Sequence, residues 1–255
     1  MKKVVFITGA TSGIGRACAY RFAADHYNII VSGRRADRLL ALAAELREKY
    51  SIAAFPLPMD VRDQAEVTSG IAGLPPDFSK PDILINNAGL ALDLSPLHEG
   101  NPEHWDIMID TNIKGVLYVS KALLPVMIKR GSGHVINIGS IAGREAYANG
   151  NVYCATKAAI DSLTKSLRME LLPYGIKVTQ IAPGAVDTEF SEVRFLGDTL
   201  RAKSLYKGFE PLHEDDVANV VHFAASLPPH VNINDLLIMP TAQAAGGMIH
   251  RKNEN

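Results

Sequence analysis

A short run of β-branched and aromatic residues, Val4 to Thr8, ends in Gly9-Ala10-Thr11-Ser12-Gly13-Ile14-Gly15, and a helical pattern opens at Ile14 and runs to Asp25. A strand that feeds a helix through a glycine-rich turn constrains the fold more than anything else in the chain. Glycines there allow positive φ and let the backbone approach a pyrophosphate, while the helix N-terminus offers unpaired N–H groups. A tight turn alone would also require glycine. Three glycines placed between a strand and a helix point instead to a dinucleotide site at Gly9, Thr11, Ser12, Gly13, Ile14 and Gly15.

The same alternation continues along the chain. Asn28–Ser32 reads as strand, and Ala36–Tyr50 as a helix with Leu39, Leu42, Ala43 and Leu46 on one face. Ile52–Pro58 is strand, Asp63–Ile71 a short helix, the Pro-rich piece Leu74–Pro81 a loop, and Ile83–Ile85 strand. A helical region spans Glu103–Arg130, with a bend or interruption expected near Gly115 and Pro125. Strand Val135–Ile138, helix Val152–Leu172 and strand Lys177–Ala182 follow. Pro183–Lys207 shows no clean period, and a helix near Asp215–Ala225 and strand Leu236–Met239 complete the pattern. Strands alternating with helices imply parallel β-α-β units with both sheet faces covered. The expectation is one α/β domain over residues 1–255, a doubly wound parallel sheet (Rossmann fold), without repeats or a splitting linker.

The end of the second strand bears on which dinucleotide such a turn would hold. A fold of this type that binds NAD usually places an acidic residue there, on the ribose. Here Ile30-Val31-Ser32-Gly33 runs into Arg34-Arg35. Guanidinium groups pair with a 2′-phosphate, whereas an acid would repel it, so Arg34 and Arg35 point to NADP. The plainer reading of the two arginines is a solvated loop.

Chemistry concentrates between Asn137 and Lys157. Ser140 falls where a strand gives way to a loop, and Tyr153 and Lys157 lie at i and i+4 on one helix face. A free tyrosine has a pKa near ~10, and lowering it by roughly three units takes ~4 kcal/mol. A lysine cation at ~4 Å under an effective dielectric of ~20 supplies about that much. Ser140 can donate to the same substrate oxygen that Tyr153 protonates, giving a general acid/base site for a carbonyl–alcohol pair. Alone, Tyr-x-x-x-Lys is a common accident of amphipathic helices, in which the tyrosine packs and the lysine snorkels.

Gly9-x-x-x-Gly13-Ile14-Gly15, Asn86-Asn87-Ala88-Gly89, Asn112, Ser140, Tyr153-x-x-x-Lys157 and Pro183-Gly184 together resemble the motif set of the short-chain dehydrogenase/reductase family, in the family's order and from end to end. The resemblance implies that Tyr153 is the acid/base, Ser140 orients the substrate carbonyl, and Lys157 holds the nicotinamide ribose and lowers the tyrosine pKa. It implies that Asn112 supports a water relay behind the lysine. It places Asp60 and Val61 beside the adenine, and Asn87, Ala88 and Gly89 against the adenosine ribose. Pro183, Gly184, Val186 and Thr188 are implied to lie along the nicotinamide. Gly150 to Lys157, Thr188 to Asp198 and Val231 to Gln243 further resemble NADP-dependent 3-hydroxy acid dehydrogenases, which act on serine, L-allo-threonine and 3-hydroxypropionate-type substrates. A homotetramer is implied, with the helix bearing Tyr153 packed on another subunit. Two other readings stand beside this one. One is a reductase of another carbonyl class, such as 3-oxoacyl thioesters or polyol ketones. The other is a non-catalytic NADP(H)-sensing module, which the intact Asn112, Ser140, Tyr153 and Lys157 set argues against.

Composition narrows the partners. A net charge of −1 leaves no basic footprint for nucleic acid or an anionic membrane. No apolar run reaches the length of a membrane span, and the first one stops at Thr8-Gly9, too short for a signal peptide core. A cytoplasmic enzyme is the expectation. The eight histidines and two cysteines show no metal-ligand spacing, so no metal is expected. A small acid would need a cation near Tyr153, since burying its carboxylate unpaired costs several kcal/mol. Arg144 and Arg194 are the candidates. Arg194 is favoured because it lies in the aperiodic segment expected to form a substrate lid at about 185–210; alternatively it pairs with Glu189, Glu192 or Asp198.

Overall fold

Six further strands align parallel around β1 (Val4–Thr8), which is buried along its whole length. The computed structural model describes residues 2–252, so residue 1 and residues 253–255 of the expected 1–255 domain lie outside the described residues. After β1 come α1 (Gly13–Ala24), β2 (Asn28–Gly33), α2 (Ala36–Tyr50) and β3 (Ala54–Pro58). The chain continues through α3 (Gln64–Ala72), β4 (Ile83–Asn86), α4 (Pro102–Ile109), α5 (Gly115–Arg130) and β5 (Gly133–Ile138). Then follow α6 (Asn151–Leu171), β6 (Ile176–Pro183), α7 (Glu189–Arg194), α8 (Thr199–Ser204) and α9 (Glu214–Ser226). Strand β7 (Asp235–Ile238) and a hairpin of β8 (Gln243–Ala245) and β9 (Met248–Ile249) end the described chain.

The sheet runs β3-β2-β1-β4-β5-β6-β7, parallel throughout. This is the doubly wound Rossmann-type arrangement. Strand order reverses between β1 and β4, and such a reversal opens a crevice beyond the carboxyl ends of the two strands. Alternate strand residues feed opposite faces. Val5, Ile7, Ile29 and Val31 join Phe22, Leu39 and Val221 beneath α1, α2 and α9. Val4, Phe6 and Ile30 join Leu84, Leu123 and Met127 on the face that α3 and α5 cover. Truncating one of the fully buried aromatics, such as Phe6 or Phe22, to alanine would cost about 3–5 kcal/mol.

Departures from the expected pattern lie where local signals are short. The region 103–130 is interrupted before Gly115 by a π-helical turn, Asp110–Lys114, while Pro125 sits inside α5 without ending it. A Cβ on Gly115 would approach Val61 Cγ2 to 2.7 Å, so glycine lets the helix pass close to that loop. The aperiodic stretch 183–207 contains α7 and α8, each six residues and too short to display a period. The β8–β9 hairpin was hidden because Ala-Ala-Gly-Gly carries no apolar alternation. No helix among the described residues is long and apolar enough to cross a membrane.

Candidate active site

A cleft of about 700 Å³ runs along the carboxyl edge of the sheet, within the range of ligand pockets. Asn87 lines it, and the buried Thr8 anchors Asn87 from behind. The Thr8 hydroxyl accepts from the Asn87 and Ala88 amides at 3.0 Å each, and Asn87 Nδ2 donates to the Thr8 and Gly9 carbonyls at 2.9 and 3.1 Å. These bonds draw the glycine-rich turn onto the end of β4. Gly9 sits at φ +66°, and a Cβ there would come 2.8 Å from Ala88 Cα, so no other residue fits. Gly15 does not reach the cleft; it packs behind the turn against Gly9 and Asn87.

At one end of the cleft lie Thr11, Ser12, Gly13, Ile14, Arg34 and Arg35. Arg35 donates from Nε and Nη2 to Thr11 Oγ1 at 3.0 and 2.6 Å, and from Nη2 to Ser12 Oγ at 2.8 Å. Asp60 and Val61 line the adjoining wall, with Asn87, Ala88 and Gly89 opposite. Burial opposes ionisation of Asp60, but the Arg62 guanidinium, 2.6 Å away, holds its carboxyl below the ordinary range.

The other end gathers Ser140, Tyr153, Lys157, Pro183, Gly184, Val186 and Thr188. Ser140 caps a short 3-10 turn, its hydroxyl accepting from the Ala142 amide at 3.1 Å and donating to the Pro183 carbonyl at 3.4 Å. Lys157 is 7% exposed and donates to the Ile138 carbonyl at 2.9 Å, and burial lowers its pKa to about 8. Its ammonium lies 5.9 Å from the Tyr153 ring centre. Burial pushes the Tyr153 phenol up to about 12, and the Arg194 cation and the Ser140 hydroxyl pull the other way. Asn112, carried inward by the π turn, does not line the cleft. It is held behind it, accepting from the Leu90 amide at 2.8 Å and donating to Leu90 O at 2.8 Å and Thr156 Oγ1 at 3.0 Å. A Cβ on Gly89 would meet Asn112 Oδ1 at 3.3 Å and Lys157 Nζ at 3.6 Å, so the two side chains converge there.

The two candidate arginines part company. Arg144 turns out of the cleft and pairs with Asp235 on the edge strand β7, which leaves its charge committed and removes it from the substrate end. Arg194 lines the cleft, donates from Nη2 to the Tyr147 hydroxyl at 3.1 Å, and stacks 5.0 Å from the Tyr153 ring centre. Its buried Nε has no partner. Glu189 pairs with Arg35 and Arg38 instead, and no Arg194 ion pair is formed among the described residues. Tyr147 and Phe190 escaped sequence reasoning, although Tyr147 follows directly on the Arg144–Ala146 loop. Arg201 and Arg251 also line the cleft, stacked on Phe195 and Phe209 at 4.3 and 5.1 Å.

Hydroxyls and guanidinium groups at one end, backbone of Asn87–Gly89 along the middle, and a phenol with an ammonium at the other end fit a dinucleotide lying along the cleft. Residues 3–197 match the family model described as short chain dehydrogenase. An NADP-dependent 3-hydroxy acid dehydrogenase of Shigella flexneri is 45% identical, over 98% of this chain and 100% of that one. A serine 3-dehydrogenase of Rhizobium radiobacter is 44% identical over 99% and 100% of the two chains. A solved closed form of serine dehydrogenase complexed with NADP⁺ superposes with a TM-score of 0.91 at 43% identity, covering 98% of this chain and 100% of that one. The chain belongs to the short-chain dehydrogenase family and is an oxidoreductase acting on CH–OH groups.

Proposed function

We propose that the protein is an NADP-dependent dehydrogenase of small 3-hydroxy acids of the serine, L-allo-threonine or 3-hydroxypropionate type. The observation that carries the substrate class is Arg194, a cleft-lining guanidinium stacked on the Tyr153 ring with an unpartnered buried Nε. A carboxylate beside the reacting carbon could take that N–H in a charge-assisted hydrogen bond, and the same carboxylate would be costly to bury without it. Uncharged thioesters and polyol ketones offer Arg194 nothing comparable. The identities to 3-hydroxy acid and serine dehydrogenases support the same class.

Bound NADP⁺ supplies the hydride acceptor. Tyr153 takes the hydroxyl proton of the alcohol as general base, and returns it as general acid when a carbonyl is reduced. Ser140 donates a hydrogen bond to the substrate oxygen and fixes it opposite the phenol. Lys157 favours the phenolate and holds the ribose, and Asn112 keeps a water relay open behind it. Gly9, Thr11, Ser12, Gly13 and Ile14 seat the pyrophosphate, with Gly15 packed behind the turn, and Arg34 and Arg35 meet the 2′-phosphate. Asp60, Val61, Asn87, Ala88 and Gly89 hold the adenosine, and Pro183, Gly184, Val186 and Thr188 the nicotinamide. Residues 185–210, with α7 and α8, form a lid over the substrate end of a single domain. The enzyme works in the cytoplasm as a homotetramer, and the exposed Met169 and Leu172 at the end of α6 are in keeping with subunit packing there. The test is a panel of 3-hydroxy acids against matched uncharged alcohols, followed at 340 nm with NADP⁺. Preference for the uncharged alcohols would sink the substrate class.

A further inference from the structure

The Arg35 guanidinium is already engaged in three directions. Nε and Nη2 hold the Thr11 hydroxyl, Nη2 holds that of Ser12, and Nη1 donates to Glu189 at 3.0 Å. Arg38 Nη1 reaches both oxygens of the same carboxylate, at 2.9 and 3.0 Å. Glu189 opens α7, more than a hundred and fifty positions away in sequence from both arginines, and α7 ends at Arg194 over the Tyr153 ring. One six-residue helix therefore has one end on the cleft-lining Arg35 and its neighbour Arg38, and the other on the Tyr153 ring.

The Arg35 bonds use four of the five guanidinium N–H groups, so a phosphate that grips Arg35 through two of them must displace at least one bond. The Thr11 and Ser12 hydroxyls can turn and donate to a phosphate oxygen, because a hydroxyl is donor and acceptor alike. A carboxylate can only accept, and it carries the same sign of charge as the phosphate. Glu189 is the one member of the cluster with nothing to offer. Arg38, holding both its oxygens, keeps it close by.

Building on the reading of Arg35 as the 2′-phosphate residue, we propose that Glu189 is a specificity-determining residue: a resident counter-ion that competes with the adenosine 2′-phosphate for Arg35. It lowers the advantage of NADP over NAD and ties that exchange to the helix that carries Arg194. Burial opposes ionisation of Glu189, yet the hydrogen bonds from Arg35 and Arg38 hold its carboxyl below the ordinary range, so the competitor is charged at neutral pH.

Calorimetric binding to the whole protein tests this without turnover. The ligands are NADP⁺, NAD⁺, adenosine 2′,5′-bisphosphate and AMP, and the proteins are wild type, Glu189→Gln and Arg35→Gln. Glu189→Gln is expected to tighten NADP⁺ and the bisphosphate by about three- to tenfold, the scale of one screened charge at a few ångströms, with NAD⁺ and AMP within twofold. The gain should shrink at high salt. Unchanged or weaker NADP⁺ binding by Glu189→Gln, or an equal gain for all four ligands, overturns the competition while leaving Arg35 in place. If Arg35→Gln fails to narrow the gap between NADP⁺ and NAD⁺, the Arg35 reading falls and the proposal falls with it.

Discussion

The Arg194 guanidinium lies 5.0 Å from the centre of the Tyr153 ring and is tethered there by the Tyr147 hydroxyl at 3.1 Å. Phe190, one turn earlier on α7, meets the same ring edge-on at 5.6 Å. Two cations thus stand near the ring, since Lys157 lies 5.9 Å from its centre on the helix that also carries Tyr153. The lysine arrives with the local spacing of α6, whereas the arginine is delivered by a separate segment.

That placement makes two demands on Arg194 separable. Arg194→Met should lower kcat/KM for 3-hydroxy acids at least ten-fold further than for matched uncharged alcohols, because a lost charge-assisted contact is worth about 1.5–3 kcal/mol. It should also move the pH profile of both substrate types to higher pH, since a cation that favours the phenolate is gone. Steady-state kinetics across pH check both effects. Equal losses for acids and alcohols with an unmoved profile would make Arg194 a lid-packing residue.

Tyr153→Phe removes the proposed proton acceptor and little volume. Cofactor affinity should survive while kcat falls about 10²–10⁴-fold, the usual contribution of positioned proton transfer. In the wild type, alcohol oxidation should rise with pH, because burial holds the Tyr153 phenol protonated and the base form is the reactive one. A flat profile from pH 6 to 10 with chemistry rate-limiting would move the proton elsewhere.

Tyr147→Phe tests the tether alone. Losing one hydrogen bond to a charged group should raise KM for 3-hydroxy acids about three- to tenfold while changing kcat for uncharged alcohols less than twofold. A fall in kcat common to both would show that Tyr147 acts on the chemistry rather than through Arg194.

What was legible follows from distance along the chain. The strand, glycine turn and helix at residues 4–25 are local, and so is the i, i+4 spacing of Tyr153 and Lys157; both stood in the sequence as patterns. The Arg194–Tyr147 contact spans 47 positions and the Arg144–Asp235 pair 91, and nothing periodic announces either. Hence both arginines stand in the sequence as candidate cations near Tyr153, with Arg194 favoured only for its aperiodic segment, and it is the fold that commits Arg144 to the edge strand. The polar clamp between β4 and β5, Asn86 Nδ2 to Asn137 Oδ1 at 2.9 Å, was equally silent. Each asparagine sits in an apolar strand, and only register places them side by side.

A buried histidine on β5 makes stability fall in acid. His134 on β5 is 3% exposed, with one ring nitrogen 2.7 Å from Thr179 Oγ1 and the other unpartnered. Burial first, and the Lys177 charge second, lower its pKa to about 3. In the unfolded chain the group titrates near ~6.5. Above that pH it is neutral in both states and costs nothing. Below it the unfolded chain binds a proton that the native state refuses, so stability falls as pH drops from about 6.5 towards about 3. At pH 5 the loss from this single group is about 2 kcal/mol. His134→Gln keeps a partner for Thr179 and cannot be protonated. Urea unfolding at pH 7 and pH 5 should therefore show the wild type losing about 2 kcal/mol more than the variant over that interval. Parallel losses would mean that His134 is protonated in place and that the acid sensitivity comes from other groups.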